Sequence, residues 1–457
     1  MKTFAIRNLI PTSHRGRISV MAVMASLNLS AQTPFAPTSG ASGVQFGYTL
    51  AADANRFLAS SAPTSSALGK TYLFEKGTGG ISQVSVFSQT DGLTDDLFGK
   101  FVSVSGDKIA IGAPHHNATG AVYTYRRLNG SWNFLQKIIL PDAISDDQFG
   151  TVKIWQNYLF VGAPGADDGG KIFVYQFTGS QWQPMAELSI PNGQMFGSQL
   201  DCQNGRLISS TLADGTHHFH SFILNADSWT WEASSAGFGS TSTPITNFAF
   251  DGNSVYFIQR QLPGTHIIKR ANPSDSFLAE DLLSFSSFDQ IYDRLTVSGN
   301  KMFIASGGYN ATLERKFPLL MYVNDGPGWN YHSTLYGLGQ ESADDYFGWA
   351  MAQSGENLIV GAPFENNQSG KAYFVDMISL KVDKIGEQVS IYPNPTRDFV
   401  NITSPESITS VEIYSLTGAL VLQGNSETLD VQALPSGLYL MRINLNQRTF
   451  TTRLVKQ

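Results

Sequence analysis

Three acidic pairs stand at matching places in this chain: Asp95-Asp96, Asp146-Asp147 and Asp344-Asp345 each end one residue short of a Phe-Gly step. Gathered at one end of a ring, such carboxylates would hold a cation or serve as the acid and base of glycoside hydrolysis. The plainer expectation is a turn in which each Asp accepts backbone N–H groups. Gly165-Ala166-Asp167-Asp168-Gly169-Gly170 brings two further metal candidates, Asp167 and Asp168. Calcium wants roughly 6–8 oxygen ligands, and this run is too short of them. No cofactor is expected, with calcium the single candidate.

Other residue groups invite chemistry less strongly. In His217-His218-x-His220 a strand would put His218 and His220 on one face and His217 on the other, offering two imidazoles without a visible third ligand. A satisfied surface or inter-blade cluster is the expected outcome, and His115-His116, in the loop after Gly-Ala-Pro, reads equally well as a solvated pair. Trp229, Trp231 and Trp349 have rings that would stack on sugar faces, although on strands they are expected to pack between sheets. Gly69-Lys70-Thr71 mimics the end of a phosphate loop but lacks the earlier glycine, since position 64 is Thr. Neither Gly-x-Ser-x-Gly nor His-Glu-x-x-His occurs, so catalysis is not expected.

The elements that must position these residues repeat. Seven times a Phe-Gly step, or a decayed version, is followed about 13–15 residues later by Gly-Ala-Pro or its decayed version. The clearest copies are Phe98-Gly99 with Gly112-Ala113-Pro114, Phe149-Gly150 with Gly162-Ala163-Pro164, and Phe347-Gly348 with Gly361-Ala362-Pro363. A period near 50 residues means one supersecondary unit used as an array. Within residues 98–148 the pattern reads as four strands, with a hairpin turn at Asn129-Gly130. Four antiparallel strands make one propeller blade. The outer strand of the closing blade has two candidates, Leu380 to Ile385 or residues 33–45.

Composition agrees with an all-β chain: 43 glycines and 12% aromatic residues suit tight turns and pleated surfaces, and only 15% of residues are charged. A single cysteine, Cys202, excludes an internal disulfide framework and reads as a buried, inert thiol. Lys2, Arg7, Arg15 and Arg17 precede a short apolar run from Ile18 to Leu29, the pattern of a signal peptide over 1–31 cut between Ala31 and Gln32. That run is too short for a membrane anchor, and no later segment qualifies. Its removal takes four positive charges from a net charge of −7, leaving −11. An acidic mature chain argues against nucleic acid as a partner.

The segment from about 40 to 383 resembles the FG-GAP repeat proteins, whose relatives include the head propellers of integrin α subunits. The resemblance implies a seven-bladed β-propeller and a binding role. The integrin-type Asp-x-Asp-x-Asp-Gly calcium loop is absent, so calcium binding does not carry over with it. After Tyr392-Pro393-Asn394-Pro395 come short strands with turns at Gly418 and Gly437, as in a small β-sandwich. These residues, with Leu434 to Tyr439 and the basic end at Lys456, resemble the type A sorting domain of the type IX secretion system of Bacteroidetes. That resemblance implies export in two steps, handling by the secretion machinery and its sorting-domain protease, and release or attachment to the outer-membrane surface of a Gram-negative bacterium.

The expected organisation is a signal peptide (1–31), a lead-in (32–45), a seven-bladed propeller (46–385), a linker (386–390) and an Ig-like sorting sandwich (391–457). The expected function is secreted binding or adhesion to an extracellular protein or glycan. A polysaccharide-acting enzyme and a structural matrix component are the alternatives.

Overall fold

A computed structural model describes residues 32–38, 44–62, 68–239, 245, 247–261, 265–285, 291–306, 319–326, 328–335, 346–377, 389–404, 407–415, 419–445 and 449–457. The expected signal peptide lies outside the described residues. The chain forms two compact units that part after Met377.

Blade two shows how the sequence builds a sheet. Phe101–Ser105, Lys108–Ala113, Ala121–Leu128 and Ser131–Ile138 alternate or are rich in β-branched and aromatic residues. Asn129 and Gly130 connect the last two with φ of 50° and 85°, the left-handed pair that a two-residue hairpin needs. Among the described residues the first unit contains seven such sheets, each of four antiparallel strands. Six are consecutive in sequence, over 46–87, 101–138, 151–188, 200–234, 248–285 and 291–335. The unit is a seven-bladed β-propeller.

The seventh blade joins the two ends of the unit. Met351–Ser354, Asn357–Ala362 and Lys371–Asp376 are completed by Gln32–Phe35, with Gln32 opposite Val375 and Phe35 opposite Ala372. The stretch expected as a lead-in therefore carries a strand of the ring, and the propeller starts at Gln32 rather than at 46. The strand covers what would be an open sheet edge. Pro34, which has no N–H to donate, is tolerated because it sits on the outermost strand. The other candidate, Leu380 to Ile385, lies outside the described residues.

The repeat motif has a steric cause. A Cβ added at Gly112 would come within 1.8 Å of the Gly150 carbonyl oxygen in the next blade. At Gly162 it would meet the Gly197 oxygen at 1.9 Å, and at Gly361 the Gly47 oxygen at 2.1 Å across the closing interface. The Gly-Ala-Pro glycine of each of these blades thus lies against the Phe-Gly glycine of the following one. Within a blade the two motifs are tied by Gly99 N–H to Gly112 O, Gly150 N–H to Gly162 O and Gly348 N–H to Gly361 O, each 3.0 Å. Phe98, Phe149 and Phe347 are buried beside these contacts. Where the motif decays in blade one, Ser60 stands near Gly99 and bonds Thr71 Oγ1 at 2.9 Å instead. The recurring fourth-strand tryptophan packs back on the preceding blade, as Trp229 does on Trp155, Tyr158 and Phe160. Cys202 is buried in that interface, and burial pushes its thiol well above the usual range.

The second unit is a sandwich. One sheet holds Ser390–Tyr392, Phe399–Thr403 and Thr428–Asp430; the other holds Leu420–Gly424, Ile408–Tyr414, Gly437–Leu445 and Thr449–Lys456. Val400, Ile402 and Leu429 of the first meet Val411, Ile413, Met441 and Ile443 of the second in one core. Of the expected linker only Val389 and Ser390 are described, and both belong to the sandwich: Val389 is buried in its core and Ser390 opens a strand.

Candidate functional site: the mouth of the propeller channel

The innermost strands of all seven blades surround a cavity of about 620 Å³. The residue that follows Phe-Gly lines it in five blades: Tyr48, Lys100, Thr151, Ser198 and Trp349. One wall of the mouth is aromatic. The Trp349 ring lies 5.4 Å from Tyr48, 5.5 Å from Phe364 and 6.0 Å from Tyr346. The Arg294 guanidinium of blade six stands 5.6 Å from the same ring. All four aromatic side chains are half-buried, so they remain within reach of solvent.

Charge is unevenly placed around this cavity. Its described lining carries Lys100, Lys153 and Arg294 against a single carboxylate, Asp201. Burial works against charge on Lys153, but Asp201 at 2.5 Å outweighs it and holds the ammonium above its ordinary pKa. Lys100 has no such carboxylate among the described residues. Burial alone lowers its pKa, and its Nζ lies 5.8 Å from the Phe101 ring. Elsewhere the wall mixes the hydroxyl and amide side chains of Thr49, Ser103, Gln199 and Gln203 with aliphatic residues such as Leu50, Val102, Leu200 and Val297. Some of these knit blades together, as Thr49 Oγ1 does by donating to Lys100 O at 3.1 Å.

Of the candidates named from sequence, Trp349 lines this cavity, and the carboxylates and histidines fall elsewhere. Asp96 Oδ2 accepts Leu93 N–H at 3.0 Å, and Asp147 Oδ2 accepts Ile144 N–H at 2.9 Å, so both close local turns in separate blades. Asp344 and Asp345 lie outside the described residues. Asp167 is exposed and paired with Lys171 at 2.6 Å; Asp168 belongs to the same short turn, Ala166–Asp168. No cluster of three metal-ligating side chains occurs among the described residues.

His218 and His220 share a strand face as expected, but hydroxyls occupy them. Thr211 Oγ1 and Ser234 Oγ flank the His220 ring at 2.8 and 2.7 Å, and Thr216 Oγ1 lies 3.0 Å from His218 Nε2. Burial, with the neighbouring His218, pushes His220 down to about 4. Trp229 is buried, whereas Trp231 is 59% exposed on the outer strand of blade four. Gly69-Lys70-Thr71 leads into the third strand of blade one, Thr71–Gly77.

His116 departs from expectation. It is buried, not solvated, while His115 is exposed. Lys137 Nζ donates to His116 Nε2 at 2.7 Å, so the Nδ1–H faces Asp96 Oδ2 at 2.6 Å. Asp91 completes the chain, accepting from Lys137 at 2.6 Å and from Tyr123 at 2.9 Å. Blade seven places Glu365 at the equivalent loop position, accepting from Tyr373 and Lys371 at 2.6 Å each. The His116 loop is thus tied to the turn that carries Asp96, and the Glu365 loop to the next strand of its own blade. The only sequence signal was that Glu365 and His116 both stand two residues after Gly-Ala-Pro.

In the sandwich, Asn394 accepts Val455 N–H at 2.9 Å and donates to Arg453 O at 2.7 Å, which ties Tyr392-Pro393-Asn394-Pro395 to the terminal strand. Tyr439 donates to Pro435 O at 2.8 Å, closing the turn before Gly437. Lys456 is buried at the end of that strand. Gly418 lies outside the described residues.

Family comparison decides what these units are. Residues 81–125 and 340–375 match the FG-GAP repeat, and residues 390–457 match a secretion system C-terminal sorting domain. The chain carries FG-GAP repeats and ends in a sorting domain. The sorting domain implies handling by the type IX machinery, secretion and cell-surface attachment. Among the described residues, no helix is long and apolar enough to cross a membrane.

No curated protein matches the chain. Solved structures similar to this chain include a protein from Lactobacillus plantarum, at 10% identity and TM-score 0.48 over 80% of this chain and 94% of that one. The β-propeller domain of the Trilobed protease from Pyrococcus furiosus aligns at 6% identity and TM-score 0.43, over 68% of this chain and 90% of that one. A prolyl endopeptidase aligns at 12% identity and TM-score 0.42, over 88% of this chain and 55% of that one.

Proposed function

We propose that this is a secreted or surface-displayed binding protein of a Gram-negative bacterium of the Bacteroidetes. In this reading the propeller engages an extracellular ligand, and the C-terminal sandwich serves as its secretion and attachment signal. A signal peptide over 1–31, cut after Ala31, would deliver the chain to the periplasm. The observation that carries the binding role is the channel mouth. It is a solvent-reachable cavity in which the slot after an architecturally fixed Phe-Gly holds Tyr48, Lys100 and Trp349. Cavities of this size, with one aromatic wall and a few directed polar groups, suit ligand binding. An acid–base pair is disfavoured, because Asp96 and Asp147 are committed to turns in different blades.

The test is binding of the full chain to arrayed glycans and extracellular-matrix proteins, beside Trp349→Ala. The expected result is a saturable ligand whose signal falls at least tenfold in Trp349→Ala, while its melting curve shows a chain that is still folded at the assay temperature. A ligand bound equally by both proteins would place the site elsewhere. Saturable binding to nothing would favour a structural role.

A further inference from the structure

We propose that the channel mouth selects an acidic sugar: a pyranose bearing a carboxylate or a sulfate, whose ring lies on Trp349 and whose anion meets Lys100. The inference rests on the binding role above and names its ligand class. Three independent features of the cavity lead to it.

The first is charge. The whole chain has a net charge of −7, yet the described lining of this cavity carries three cations and one carboxylate. Lys153 and Asp201 neutralise each other at 2.5 Å. Lys100 is left partly buried without a carboxylate among the described residues, and burial lowers its pKa. A desolvated ammonium without a counter-ion is costly in the empty protein and is relieved when an anion arrives. Low dielectric around the site strengthens that attraction, and a cleft of one sign also gathers anions from solution.

The second is the flat wall. Trp349 and Tyr48 lie 5.4 Å apart and Arg294 stands over the Trp349 ring, which limits how that ring can turn. A half-buried aromatic face of this kind receives a flat, partly apolar surface, and the C–H face of a pyranose supplies one. The third is the rest of the lining. Alongside aliphatic residues it includes the hydroxyl and amide side chains of Thr49, Ser103, Ser198 and Gln199. Polar groups of this kind match a hydroxyl-rich ligand better than an apolar peptide anchor. At about 620 Å³ the cavity has room for a short oligosaccharide end.

The experiment is calorimetric titration of the full chain with tetragalacturonate, a sulfated galactan tetrasaccharide and neutral galactotetraose, at low and high salt. At least one acidic ligand is expected to bind at least tenfold more tightly than the neutral one, with affinity falling as salt rises. The two acidic arms separate carboxylate from sulfate. Lys100→Gln is expected to lose about tenfold for the acidic ligand, the scale of one charge-assisted hydrogen bond. Lys100→Arg keeps the charge and should keep most of the affinity. Melting curves of both variants show whether they fold.

Equal affinity for acidic and neutral sugars, or Lys100→Gln binding as wild type does, overturns the acidic-sugar inference and leaves the binding role standing. Failure of all three sugars beside a protein ligand that Trp349→Ala abolishes also overturns it without touching that role. Absence of any saturable ligand removes both.

Discussion

Gly162→Ala tests the account of the repeat at one of its closest contacts. The new Cβ would stand 1.9 Å from the Gly197 carbonyl oxygen, 2.7 Å from its carbon and 3.0 Å from its Cα. All three atoms are backbone, so no side chain can swing aside. Blades three and four would have to separate, loosening Phe160, Ile172 and Val174 from Phe196, Leu207 and Trp229. Overpacking of this kind costs about 1–3 kcal/mol, and a backbone contact belongs at the upper end. Alanine also restricts the unfolded chain, which returns about 0.4–1 kcal/mol. A net loss of about 2 kcal/mol follows. With unfolding entropy of about 2.1 cal/mol/K per residue, a propeller of about 350 residues changes by ~0.7 kcal/mol per degree, so its melting point should drop ~3 °C. Gly79→Ala is the control, since nothing lies within 4 Å of a Cβ there. Calorimetric melting of both variants in the full chain is the assay. If Gly162→Ala melts with the control and instead loses ligand, the motif belongs to the binding site and the clasp argument fails.

Two further outcomes follow from the same geometry. Phe35 packs 4.7 Å from Phe74 in blade one, so Phe35→Ala should cost about 3 kcal/mol and free the closing blade. Faster hydrogen exchange in its partner strand Lys371–Asp376 is the readout, and unchanged exchange there would refute the closing role. His220, held near 4 against an ordinary 6.5, binds its proton less readily folded than unfolded. Its contribution is therefore intact above about pH 6.5 and lost as pH falls toward 4, roughly 2 kcal/mol by pH 5. His220→Gln should flatten that part of the stability–pH curve, and an identical slope in the variant would show that another group sets it.

What was legible in the chain follows from which contacts repeat. Gly112, Gly162 and Gly361 were visible because each solves the same steric problem against the next blade, and that problem admits only glycine. The sandwich strands were visible because alternation and turn residues are local signals. The closing strand was not. Gln32–Phe35 is four residues with no repeat signature, and its partner Lys371–Asp376 lies more than 300 residues away. His116 was misjudged because burial of a loop residue depends on Lys137 and Asp96, which reach it from other elements. The channel was hidden for a related reason. Seven separated strands contribute a few residues each, and no window of sequence contains two walls of it.

The slot after Phe-Gly connects those two levels. In each well-kept copy the phenylalanine and glycine are fixed by packing, while the next residue changes from Tyr48 to Lys100 to Thr151 to Ser198 to Trp349. The glycine leaves no room for a Cβ, whereas the slot beside it accepts side chains from Ser198 to Trp349, some of them packed, as Trp349 is on Phe364. Under the proposed reading this makes stability and ligand choice separable in one tripeptide. Changes at the glycine should move melting and leave specificity, and changes one residue later should act chiefly on specificity. Such a division lets an array keep its ring while its mouth is rewritten one blade at a time.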